Sequence, residues 1–147
     1  MPQHLHRPET TGRRKQLALI AHDNRKVDLV AWATFNRDTL AQFVMVATRH
    51  TARLMRDKVG LDVEVLLSGP EGGDAQIAAR VATGAVDAVF FFVEPLTAQP
   101  HDPDIRALLR VCNVHNVPLA TNVASADLII AALSDAAGRR ALSVPAG

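Results

Sequence analysis

The sequence predicts an α/β protein: a doubly wound, mainly parallel five-stranded sheet flanked by helices. Three observations carry that prediction. Five short apolar runs of strand length recur along the 147-residue chain. Most are apolar throughout, the pattern of strands buried on both faces of a sheet. Longer stretches with helix-like spacing lie between and after them, the alternation that joins parallel strands through crossovers.

Residues 1–14 read as a basic tail with no apolar segment of the kind a secretory signal needs, and His4 and His6 as solvated tail residues. L-A-L-I-A (17–21) is the first strand, and residues 24–42 form a helix that Trp32 packs on the sheet. F-V-M-V-A (43–47) is the second strand, followed by a helix over 51–59. V-E-V-L-L (63–67) is the third, followed by a helix over 74–83 that Gly84 suits as an end signal. V-D-A-V-F-F-F-V (86–93) is the fourth. Asp102-Pro103 then marks the start of a helix over 103–116, a capping carboxylate followed by proline at the first helical position. Cys112 falls on the buried side of that helix, and His115 at its end. V-P-L-A (117–120) is the fifth strand, and 125–136 the last helix. No repeat or low-complexity linker interrupts residues 15–147, which read as one domain.

Bulk composition narrows the function. The chain is 48% hydrophobic and 21% charged, as a globular protein is. A net charge of +1 makes no electrostatic case for nucleic acid or an anionic membrane. The single Cys112 excludes an internal disulfide and a cysteine zinc site, as expected in a reducing cytoplasm. No apolar run approaches the ~18–20 residues of a membrane span.

In such a sheet, ligands bind beyond the carboxyl ends of the strands. Those ends deliver His22-Asp23, Thr48, Ser68-Gly69, Glu94 with His101 and Asp104 beyond it, and Thr121-Asn122. The turn after the first strand, H-D-N-R-K, lacks G-x-G-x-x-G. Neither G-x-x-x-x-G-K-[ST] nor G-x-S-x-G occurs, so dinucleotide, phosphate-loop and hydrolase-elbow chemistries fall away. A phospho-accepting receiver domain falls too, since Ser68-Gly69 stands where its aspartate would.

What remains suits a phosphate cradle beside proton-handling groups. Lys26 can reach back over the rim, and Thr48 and Thr51, three apart around a turn, can aim two hydroxyls at one anion. Ser68 and the Gly69 amide approach from the next strand. Each also has a plain structural reading, as a solvated lysine or a hydroxyl that caps or turns the chain. Arg25 reads as surface. Asp74, which ends S-G-P-E-G-G-D, has two readings of equal standing. It caps the helix that follows. Alternatively, the glycines bring the backbone against a substrate, and the carboxylate faces a carbon next to its phosphate to remove a proton alpha to a carbonyl. His101, at a helix N-terminus, would stay neutral and donate to a developing oxyanion, with Asp104 fixing its tautomer. A loop histidine and a first-turn acid are the alternative there.

With these residues assembled, the sequence resembles the methylglyoxal synthase family. The matching stretches are I-A-H-D-N-R-K (20–26), L-L-S-G-P-E-G-G-D-A-Q (66–76), F-F-V-E-P-L-T-A-Q-P-H-D-P-D (91–104) and A-L-L-R-V-C-N-V-H-N-V-P-L-A-T-N (107–122). The resemblance implies conversion of dihydroxyacetone phosphate to methylglyoxal and inorganic phosphate without metal or organic cofactor. It also implies a homohexamer regulated by phosphate. It makes Asp74 the catalytic base and sets His101 and Asp104 beside the reacting carbonyl. His22, Lys26, Thr48, Thr51, Ser68 and Gly69 fall to phosphate and substrate binding. Burial would keep Asp74 basic against the helix dipole.

Three departures stand out. Residues 48–52 are T-R-H-T-A where the family usually has T-G-T-T-G. Arg49 and His50 thereby enter as possible anion ligands, while the lost backbone freedom at positions 49 and 52 and the missing middle threonine hydroxyl predict a somewhat weakened but functional cradle. Glu94, a further possible site residue, replaces the family's usual aspartate. The C-terminal A-L-S-V-P-A-G lacks the tyrosine and arginine of many members. The same fold serves as a regulatory domain in large-subunit carbamoyl phosphate synthetase, so a non-catalytic effector-binding module is the alternative. A lyase acting on a related sugar phosphate is another. Asp74, His101 and Asp104 together favour an enzyme, since a sensor needs phosphate donors but no base.

Overall fold

All five apolar runs become strands: β1 (Gln16–Ala21), β2 (Val44–Ala47), β3 (Glu64–Val65), β4 (Ala88–Phe92) and β5 (Leu119–Ala120). They lie in the order β3-β2-β1-β4-β5, with every neighbouring pair parallel. This computed structural model describes residues 13–97 and 103–142, with side chains of the last helix up to Asp135. The expectations for His4, His6, His101 and Asp102 lie outside the described residues, as do most of the tail and the C-terminal end.

The helices are α1 (Lys26–Phe35), α2 (Arg37–Leu40), α3 (Arg49–Leu54), α4 (Gly73–Ala82), α5 (Ile105–His115) and α6 (Val123–Leu142). Alternation along the strands sorts the core into two layers. Leu17, Leu19, Phe90 and Phe92 face Trp32 of α1, Met55, and Ala126 and Ile130 of α6. Ala18, Ile20, Val89 and Phe91 face Ile77 of α4 and Leu108 and Cys112 of α5. The Trp32 ring lies 5.1 Å from Phe90 and 5.7 Å from Phe92, and its Nε1–H donates to Asp127 at 3.0 Å. Cys112 is buried, which pushes its thiol up to about 11. Among the described residues no helix is long and apolar enough to cross a membrane.

Side-chain caps move several boundaries from where periodicity puts them. The expected helix over 24–42 is a short turn (Asp23–Arg25), then α1, then α2. The break falls at Asn36, whose amide Nδ2 donates to the Trp32 carbonyl at 2.9 Å and competes with the continuing helix. Pro103 does not open α5. Asp104 caps it instead, accepting from the Arg106 N–H at 2.9 Å, so the helix begins two residues later than Asp102-Pro103 predicts. Asn122 caps α6 through the Ser125 N–H at 2.8 Å and starts that helix earlier than 125. β3 shrinks to two residues because the Leu67 N–H turns away to the Gln76 side chain at 2.8 Å. The helix expected over 51–59 begins at Arg49 and widens into a π turn at Met55–Val59.

Candidate active site

The strand order reverses between β1 and β4, so a crevice opens at their carboxyl ends. His22 stands there, buried and edge-on to Phe91 at 5.2 Å. Its Nδ1 receives the Glu94 backbone N–H at 3.0 Å, and its Nε2 lies 2.9 Å from the Pro103 carbonyl oxygen. A peptide N–H only donates and a carbonyl only accepts, so the ring is the neutral tautomer protonated on Nε2. His22 therefore ties the segments after β4 and before α5 to the end of β1, rather than presenting a nitrogen to a ligand.

Beside it, a cavity of about 160 Å³ opens at the ends of β1, β2 and β3. Lys26, Thr48, Ser68, Gly69 and His50 share its wall, with Asp23 and Pro103. Hollows of about 570 and 580 Å³ lie elsewhere, at the Arg37–Glu64 edge and beside Thr121. Convergence of polar groups, not size, selects the small one. Lys26 Nζ donates to Asp23 Oδ1 at 2.7 Å and meets His50 Nδ1 at 2.9 Å. The Thr48 and Thr51 hydroxyls, both buried, approach to 3.5 Å, so the pair expected from spacing does converge. Burial and the neighbouring Lys26 hold the His50 imidazole below its usual pKa.

Arg49, one residue before His50, points the other way. Its Nη1 meets Glu71 Oε1 at 2.9 Å, and the same oxygen accepts the Ser68 hydroxyl at 2.9 Å. That hydroxyl and the guanidinium hold Glu71 below the usual carboxylate range. Arg49 and Ala52 both lie in the helical stretch of α3, and neither has positive φ. The expected loss of backbone freedom at those two positions does not arise. Glu71 is the residue that sequence reasoning passed over, although Ser68 and Glu71 carry the S-x-x-E spacing of paired cap residues.

The loop ahead of Asp74 answers for its own glycines. Gly72 has φ 108 and is the N-cap of α4, so Asp74 is not the cap but lies in the first turn. A Cβ at Gly73 would collide with the Leu67 carbonyl oxygen and come within 2.8 Å of the Thr48 methyl. Gly73 thus lets the chain pack on itself, and Gly72 supplies the positive φ that opens α4. They also fix Asp74 in place. Its Oδ1 accepts from the Ala75 N–H at 2.9 Å, and its Oδ2 accepts from the Asp104 N–H at 3.3 Å. Asp74 is half-buried, and it joins the starts of α4 and α5. Asp104 itself is exposed and bonded to Arg106, which holds its carboxyl below the usual range.

Glu94 faces away from the cavity. Its Oε2 accepts the Leu96 N–H at 3.0 Å and its Oε1 meets Arg25 at 3.2 Å. Arg25, expected at the surface, is half-buried and bridges Glu94 to Asp28 at 3.0 Å. Among the described residues no cluster of three or more His, Cys, Asp or Glu could hold a metal ion.

Comparison with known proteins supplies the remaining observation. Residues 28–121 match the family model described as the MGS-like domain. The chain is 57% identical over 121 residues to methylglyoxal synthase of Cupriavidus pinatubonensis, covering 82% of this chain and 93% of the relative. It is 55% identical over 117 residues to methylglyoxal synthase of Thermus thermophilus, covering 80% and 93%. The crystal structure of methylglyoxal synthase from Elizabethkingia anophelis is similar with a TM-score of 0.78 and 42% identity, over 80% of this chain and 77% of that one.

Proposed function

The chain belongs to the methylglyoxal synthase family, and on that premise we propose that it converts dihydroxyacetone phosphate to methylglyoxal and inorganic phosphate, with Asp74 as the base. The observation that carries the assignment of the base is the half-buried Asp74 carboxylate, held at the Asp104 amide beside the Lys26 cavity yet absent from its wall. A base must stand near the phosphate without contacting it, and the tie from Asp74 to Asp104, next to the cavity-lining Pro103, supports that reading.

In this mechanism the Lys26 ammonium, the Thr48 hydroxyl, Ser68 and the Gly69 amide take the phosphate, and Thr51 orients Thr48. Lys26 exchanges some of its contact with Asp23 for the incoming anion. Asp74 removes a proton from the hydroxymethyl carbon alpha to the carbonyl, and the electron pair moves onto the carbonyl oxygen to give the enediolate. His101, as a neutral donor, stabilises that oxygen. Collapse of the enediolate breaks the carbon–oxygen bond to phosphate on the far side of the carbonyl. The enol that remains gains a proton at carbon and loses its hydroxyl proton to become methylglyoxal. Atoms balance without water or an electron carrier, so the reaction as written calls for no cofactor.

His22 supports this site from behind by tethering Pro103, which forms part of the cavity wall. Inorganic phosphate, as product, competes for the same donors. A single domain over residues 15–147, a homohexamer and a cytoplasmic location belong to the same proposal. Incubating the purified protein with dihydroxyacetone phosphate while following both products tests it. Equal release of methylglyoxal and phosphate supports the assignment, and binding without release would favour the regulatory module instead.

A further inference from the structure

We infer that His50 is an anion ligand of the Lys26 cavity, and that its protonation makes the site bind a phosphate-like dianion more tightly as pH falls. The inference rests on the reading of that cavity as the phosphate site. Arg49 and His50 are adjacent, and on charge alone arginine would be the stronger candidate. The geometry reverses that order. Arg49 is held by Glu71 at 2.9 Å and does not line the cavity, whereas His50 does, next to Lys26, Thr48 and Ser68.

The 2.9 Å approach of Lys26 Nζ to His50 Nδ1 fixes the ring's state in the free site. An ammonium has three donors and no acceptor, so Nδ1 accepts, and the proton of the neutral ring sits on Nε2. His50 thus positions Lys26 in the empty cavity. The charged groups that face it are known from each side. Lys26 and Asp23 come from the start of α1 and the turn before it, and Arg53 from the next turn of its own helix, while Arg49 is turned away onto Glu71. Burial, Lys26 and Arg53 disfavour the imidazolium, while Asp23 favours it.

A dianion in the cavity inverts this balance. It draws Lys26 away from Nδ1 and places negative charge beside the ring, so the imidazolium gains a partner for its charge and a second N–H donor. The imidazole pKa is then higher in the complex than in the free protein. Binding takes up a proton between those two values. Affinity is lowest above the bound-state pKa, rises as pH falls through it, and levels off below the free-state pKa.

Sulfate is the probe of choice because it stays a dianion where phosphate itself titrates. Isothermal titration from about pH 8 to about pH 5, the range in which histidine switches, should show sulfate affinity rising by roughly tenfold in the native chain, the worth of one added charge-assisted hydrogen bond. His50→Asn keeps an oxygen that accepts from Lys26 but cannot take the proton. It should lose most of that rise while binding at the alkaline end within a few-fold of native. His50→Ala should bind more weakly at the alkaline end as well, because Lys26 loses its support. Native and His50→Asn profiles that run parallel would overturn the inference while leaving the phosphate site intact. Absence of sulfate binding by any of the three proteins would overturn the cavity reading and the inference together.

Discussion

Gly73→Ala separates a helix-propensity argument from a packing argument, because the two predict opposite signs. Gly73 is the first residue of α4 and its φ is not in the left-handed region. Propensity alone says that alanine there stabilises the protein, by up to ~1 kcal/mol in a helix interior. The packing says otherwise. The added Cβ would sit inside contact distance of the Leu67 carbonyl, which is backbone, and 2.8 Å from the Thr48 methyl, which is buried. Restoring a normal carbon separation of ~3.5 Å requires the start of α4 to move on the order of 1 Å. Overpacking of this kind costs ~1–3 kcal/mol, enough to outweigh the propensity gain. The same movement carries Asp74 away from the Asp104 amide and pushes on Thr48 in the cavity wall. A 1 Å misplacement of a catalytic group is worth about 10²-fold in rate. Urea unfolding followed by circular dichroism, with turnover measured on the same preparations, checks both numbers. Gly73→Ala should unfold at lower urea with an unchanged slope, and turn over about a hundredfold more slowly. A variant as stable as native, or more so, would refute the packing argument.

Arg49→Ala should leave sulfate affinity within roughly threefold of native, because Arg49 is held on the exposed Glu71 outside the cavity wall, where solvent screens its charge. Titration showing a tenfold loss would make Arg49 a ligand after all. Asn122→Ala removes the cap of α6 and should cost ~0.5–2 kcal/mol in urea unfolding. The Glu64 carboxyl is held below its usual pKa chiefly by the hydrogen bonds from Arg80, at 2.6 and 3.1 Å. A depressed folded pKa adds stability above the unfolded value and loses it as pH falls through the folded one. Arg80→Met should therefore cost ~0.2–1 kcal/mol at neutral pH, discounted for exposure, with the difference closing in acid. Unfolding curves at several pH values give the difference directly.

The parts of this fold that show in the sequence are those set by burial. β1 and β4 are apolar on both faces and pack against helices on both, so their composition alone marks them. Trp32 and Cys112 fall where a buried helix face requires. The boundaries depend on single side chains that accept or donate locally. Asp104, Asn122 and Asn36 each override the periodic pattern with one hydrogen bond. The site divides the same way. Thr48 with Thr51, and Lys26 with Ser68, come together as their strand ends predict. The direction of a long side chain depends on a partner distant in the chain, and no local pattern reveals it. Arg25 is drawn to Glu94, His22 is locked between Glu94 and Pro103, and Arg49 is drawn to Glu71. The contact between Asp74 and the Asp104 amide spans thirty residues, and its motif residues are visible while their meeting is not.

The central claim is that the Asp74 carboxylate starts the elimination. The most direct measurement compares native chain and Asp74→Asn for turnover of dihydroxyacetone phosphate, with sulfate affinity measured alongside. Asparagine keeps one oxygen, which can accept from the Ala75 or the Asp104 amide but not both, so the fold and anion binding should persist with one of those hydrogen bonds lost. Turnover should fall by ~10²–10⁴, the worth of a positioned base, while sulfate affinity stays within a few-fold. Turnover within a few-fold of native, at the same sulfate affinity, would contradict the account and place the base on another residue.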